Sequence, residues 1–129
     1  MGIEEDDIDP TAFLEDVEMR VGEVTAAEPF PEARKDVYRL RVDFGEETLG
    51  SAAGLTDNYD PEELVGRQVV AVVNLGTVDI AGFESECLVT GVDSAGRGPA
   101  GSRAKSNDAD GGVVHLQPER EVPNGARVY

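Results

Sequence analysis

The chain of 129 residues and 13.7 kDa has room for one compact domain with tails, and not for two ordinary ones. It carries 27 acidic residues against 11 basic ones, a formal charge of −16, with 40% apolar and 5% aromatic residues. This excludes nucleic-acid binding by bulk charge, is too apolar for a disordered chain, and leaves no run near the roughly 18 apolar residues of a membrane span. With one cysteine, Cys87, there is no internal disulfide and no multi-cysteine zinc site, so a reducing, cytoplasmic setting is expected. Nine of the basic residues are Arg and only Lys35 and Lys105 are Lys. Asp and Glu hold water and ions at a surface, Lys exposes an apolar stem, and molar salt screens self-repulsion. The composition therefore reads as that of a halophilic archaeon's protein, and the alternative is an acidic protein with a basic partner.

In chain order, residues 1–8 read as an acidic disordered tail ahead of one domain over 9–129. Met1 to Glu18 hold eight acids and no base. Asp9 can cap a short helix with Pro10 at its first position and Phe13, Leu14 and Val17 on one face. Met19–Glu28 reads as a bent strand with a bulge at Gly22, ended by Pro29-Phe30-Pro31. Val37–Phe44 alternates cleanly, with Tyr38, Leu40, Val42 and Phe44 inward and Arg39, Arg41 and Asp43 outward. Thr48–Leu55 is a small, Gly-rich strand. Asp60-Pro61-Glu62-Glu63 starts a one-turn helix that Gly66 stops.

Gln68–Leu75 and Phe83–Val92 read as continuous apolar strands joined by a loop, Gly76–Gly82. Residues 93–112 contain almost nothing to bury and read as a long flexible loop. Val113–Gln117 alternates again and places His115 outward, Pro123-Asn124-Gly125 is a turn, and Arg127–Tyr129 reads as a last short strand. Several short strands around one short helix predict an all-β fold: a five-stranded OB-fold barrel with a short N-terminal helix, a one-turn internal helix and a C-terminal extension.

Three motifs compete for a chemical role. Gly96-Arg97-Gly98-Pro99-Ala100-Gly101 matches a dinucleotide fingerprint in spacing, but no amphipathic helix follows it. Cys87 and His115 are a single thiol and a single imidazole, too few for a zinc site or a supported nucleophile, so no enzyme, metal or cofactor is expected. The stretch 33–41, ARKDVYRLR, holds Arg34, Lys35, Arg39 and Arg41 against Asp36, a local +3 inside a −16 chain. On an OB-fold this strand face and its loops are where oligonucleotides bind, and the alternative is a solvated face that tempers self-repulsion. Arg97, Arg103 and Lys105 form a second, looser basic group.

The runs FPEARKDVYRLRVDFG, GRQVVAVVN, IAGFESECLVTGV and LQPEREVPNGARVY, in this order, resemble the CsaA family of tRNA-binding-domain proteins. They are similar also to the domain at the C-terminus of many bacterial methionyl-tRNA synthetases. The resemblance implies an OB-fold, a C-terminal extension that pairs two chains into a homodimer, no enzymatic activity, and binding of tRNA or structured RNA. For CsaA it also implies a chaperone role on exported polypeptides. It maps a binding surface to Arg34, Lys35, Ser51, Asn74, Gly82 and Ser85, beside Arg39 and Arg41. This chain departs from the family's pattern after Asn74, where it reads Gly76-Thr77-Val78-Asp79 in place of Pro and Arg or Lys.

Overall fold

The computed structural model describes residues 4–95 and 112–129. Most of the expected loop 93–112, with the Gly96–Gly101 motif and Arg97, Arg103 and Lys105, lies outside the described residues. Helix α1 (Pro10–Asp16) begins as expected: Asp9 Oδ1 accepts from Thr11 N at 2.8 Å and Pro10 occupies the first turn. Its apolar face is only partly covered, with Phe13 half-buried and Leu14 exposed.

Strands β1 (Met19–Pro29), β2 (Tyr38–Asp43), β3 (Thr48–Ala53), β4 (Gln68–Val72) and β7 (Leu88–Val89) form one antiparallel sheet in the order β3-β2-β1-β4-β7. The long β1 serves two partners: Met19–Glu23 pairs with β4 and Glu23–Pro29 pairs with β2. Two pairings in different directions require a bend. The register slips between Val24 and Ala26, so the bulge lies at Thr25 and not at Gly22. Gly22 has another task, since a Cβ there would meet Val42 Cγ1 at 2.6 Å and Phe44 Cε1 at 2.8 Å. The bare backbone lets the β2 side chains close over it.

The free edge of β3 is then capped by the chain around residues 85–87. Glu86 N and Cys87 N both donate to Gly50 O, at 2.8 and 3.3 Å, and Ser85 Oγ accepts from Ala52 N at 3.0 Å. These bonds turn the sheet into a nearly closed five-stranded antiparallel barrel of the OB type, with two short helices. Leu40, Val24, Val42, Leu55, Val69 and Ala71 fill it, and α2 (Pro61–Leu64) plugs it with Leu64. Glu63 Oε2 accepts from Asp60 N at 2.8 Å, the reciprocal half of the capping box legible in DPEE.

Three strand assignments need correction. Phe83–Val92 is not one strand but three pieces, β6 (Phe83–Ser85), β7 and β8 (Gly91–Asp93), because this stretch pairs in turn with a hairpin strand, β4 and the C-terminal segment. The supposed loop 76–82 contains that hairpin strand, β5 (Val78–Ile80). The end of the chain forms an Arg20–Arg127 bridge and bonds such as Val128 N to Met19 O at 2.9 Å, with no strand.

His115, on β9 (Val113–His115), faces inward, only 5% exposed, against the outward orientation read from alternation. Its backbone N donates to the Tyr59 hydroxyl at 3.2 Å, and its ring lies 5.2 Å from the Tyr59 ring. Alternation distinguishes two faces but gives them no sign. Here the inner face gives the imidazole the Tyr59 ring to pack on while Nδ1 meets Leu116 O at 3.1 Å, and Val114 and Leu116 are left outside.

Cys87 is buried on the barrel seam, and loss of hydration pushes its thiol up to about 11, partly offset by the nearby Ser51 hydroxyl. A raised folded value means the stability it carries is whole below the unfolded pKa of about 8.5 and is lost as pH climbs through the folded value. Urea denaturation midpoints are therefore expected to fall between about pH 8.5 and 11, and a Cys87→Ala variant to show a shallower decline. Equal slopes for both proteins would refute this assignment.

Candidate nucleic-acid interface

Four of the expected residues share one side of the barrel. The β1–β2 hairpin ends in the loop 30–37, whose first turn is closed by Ala33 N donating to Phe30 O at 3.1 Å. Arg34 and Lys35 stand exposed on this loop, with no ion-pair partner among the described residues. Arg39 and Arg41 follow on the outer face of β2, opposite Glu28 and Ala26 on β1 and Ala52 and Gly50 on β3.

The two strand arginines are held. Arg39 pairs with its cross-strand neighbour Glu28 at 2.5 Å and lies with its guanidinium carbon 4.9 Å from the Phe30 ring centroid. Arg41 lies 5.4 Å from the Phe83 ring, and the two rings meet edge to face at 5.7 Å. Cation–π contacts restrain both guanidinium planes; Glu28 offsets the charge of Arg39, while Arg41 has no ion-pair partner among the described residues. Phe30, Phe83 and Glu28 were absent from the residues singled out by sequence. Their part depends on strand register and on the β5–β6 hairpin folding over β3, neither of which is visible in local spacing.

The other expected positions have structural duties. Ser51 is 1% exposed, and its hydroxyl donates to Cys87 O at 2.9 Å, so it presents nothing at the surface. Asn74 is exposed at its edge, but Oδ1 accepts from Glu18 N and Nδ2 donates to Asp16 O, both at 3.0 Å, which ties α1 to the end of β4. Ser85 is half-buried and bonded to Ala52 N. Gly82 is exposed in the β5–β6 turn at φ +87°, with its N–H on Asp79 Oδ1.

The barrel is electrostatically lopsided. The cleft between β3 and the residues after Asn74 is lined by Glu18, Glu47 and Glu86 with Leu49, Val73 and Thr77, and by no base. Glu18 is paired with Arg20 at 2.6 Å and Glu86 Oε1 takes Gly50 N at 2.9 Å. Phosphates are disfavoured at that end and favoured at the loop carrying Arg34 and Lys35. Among the described residues, no group of three or more His, Cys, Asp or Glu is arranged to hold a metal ion, and no helix is long and apolar enough to cross a membrane.

Comparison with known proteins agrees with this architecture. Residues 19–127 match the family described as "Putative tRNA binding domain". The fold superposes with a TM-score of 0.75 on the crystal structure of chaperone CsaA from Bacillus anthracis, 40% identical, covering 95% of this chain and 100% of that one. A methionyl-tRNA-synthetase-related protein from Pyrococcus horikoshii gives the same TM-score at 31% identity, covering 97% of this chain and 100% of the other. The methionine–tRNA ligase of Methanocaldococcus jannaschii is 30% identical over 117 residues, 91% of this chain but only 16% of that enzyme. The chain thus spans only 11–16% of the length of these methionine–tRNA ligase relatives. With the barrel, the four ordered sequence blocks and a family match over nearly its whole length, this chain belongs to the tRNA-binding domain family and is CsaA-like.

Proposed function

We propose that the protein is a non-enzymatic binder of tRNA or structured RNA that acts as a homodimer in a high-salt cytoplasm. The observation that carries this reading is the pair of exposed cations, Arg34 and Lys35, with no ion-pair partner among the described residues, beside the ring-held Arg39 and Arg41 on a chain of charge −16. A surface that needed cations only to temper self-repulsion would distribute them; this one concentrates them where an OB-fold meets oligonucleotides. Gly82 and Ser85, on the hairpin that carries Phe83, border the same face.

The dimer reading is supported by an apolar strip on the C-terminal ribbon. Val92 pairs with Val114 across β8 and β9, and these residues and Leu116 are 51, 39 and 38% exposed. A second copy covering them removes apolar surface from water at about 25 cal/mol per Å².

A polypeptide-binding role is the second reading, favoured by exposed Leu75 and Val78 where the family's cations are missing, and by the likeness to chaperone CsaA. Titration with total tRNA from 0.2 to 3 M KCl, with circular dichroism at each point, separates the two. RNA binding should be saturable and fall with salt, while the fold persists or strengthens. Absence of tRNA binding at every salt where the protein is folded would overturn the RNA reading. Apolar polypeptide binding would hold or rise with salt.

A further inference from the structure

At the tip of the β1–β2 hairpin an open groove runs between the loop and the start of β2, lined by Pro29, Phe30, Pro31, Lys35, Tyr38 and Thr56. Its walls are apolar and rigid: two exposed proline rings and the turn closed by Ala33 N on Phe30 O, over the buried Tyr38, whose hydroxyl is anchored on Tyr59 O at 2.8 Å. Its rim is cationic. Lys35 lines it and exposed Arg34 precedes it, with Asp36 as the single acid among the lining residues.

Flat apolar walls with a cationic rim suit a ligand that is apolar and planar in one part and anionic in the other. An extended polypeptide fits poorly, because strand addition needs backbone donors and neither Pro29 nor Pro31 has an N–H. A nucleotide needs none: its base packs on ring faces and its phosphate takes the cations.

We infer that this groove receives one unpaired nucleotide of the bound RNA, its base against the exposed rings of Pro29 and Pro31 and its phosphate on Arg34 and Lys35. The inference rests on the RNA-binding reading and narrows it: the protein recognises RNA in which a base is free of its helix, and duplex phosphates alone do not fill the site. Thr56 supplies a hydroxyl at the groove that can meet a base edge.

The test uses the full chain at a KCl concentration where circular dichroism shows it folded, with fluorescein-labelled octauridylate and an abasic octamer of the same phosphate count. The base-bearing strand is expected to bind about tenfold tighter or more, the scale of one stacked base. Ala33 also lines the groove, and Ala33→Phe, which fills it without changing charge, should erase that difference and leave the abasic affinity in place. Equal binding of the two octamers by the unaltered protein, while total tRNA still binds, overturns the groove but not the RNA reading. Failure of total tRNA to bind overturns both. Capture of an acidic peptide that Ala33→Phe abolishes, with no discrimination between octamers, would assign the groove to polypeptide.

Discussion

Reversing both loop cations, Arg34→Glu with Lys35→Glu, is expected to weaken tRNA binding by at least about tenfold at the lowest salt where the protein is folded. The change turns the local +3 of residues 33–41 into −1 on a chain that already carries −16. Each lost phosphate contact should also lower the slope of log affinity against log salt by about 0.7–0.9, so the double variant should show a visibly flatter plot. Both side chains are exposed and make no ion pair in the described structure, so the unfolding free energy read from urea denaturation should change by no more than about 0.5 kcal/mol. Unchanged affinity with an intact fold would remove this face from the RNA reading. The same reversal at Arg39 would be a poorer test, because Arg39 also holds Glu28 and Phe30.

Gly50→Val is expected to cost about 2–3 kcal/mol of stability, read as a lower urea midpoint, and to disturb the interface at the same time. A Cβ at Gly50 would lie 2.8 Å from the Glu84 carbonyl oxygen and 2.9 Å from Phe83 Cζ. The contact is with backbone, so relief requires the β5–β6 hairpin to lift from β3. That movement would break the Glu86 and Cys87 amide bonds to Gly50 O, which close the barrel, and would withdraw Phe83 from Arg41. Weakened tRNA binding together with the lower midpoint is the expected pair of results. A variant of native stability would show that the seam yields easily and is not what closes the barrel.

Local chemistry decided much of this protein before any contact was known. Asp9-Pro10 and Asp60-Pro61-Glu62-Glu63 start helices because their side chains meet amides two or three residues away, and YRLRVDF alternates because a strand has period two. The same alternation put Arg39 and Arg41 outside, and the basic cluster was legible as a break in a strongly acidic chain. What sequence left open were properties of register and closure. Which edge β3 meets, and hence that Ser51 is consumed by the seam, depends on residues 36 positions away. His115 turned inward where the ring of Tyr59, 56 residues earlier, packs on the imidazole and the Tyr59 hydroxyl takes the His115 backbone amide. Asn74 became a clasp because α1 returns to the end of β4, and Arg39 and Arg41 gained ring partners only once the hairpin folded over the sheet. Residue type and short spacing set which elements form and where charge collects. Which polar groups remain for a ligand is settled by long-range hydrogen-bond satisfaction, which only the closed barrel determines.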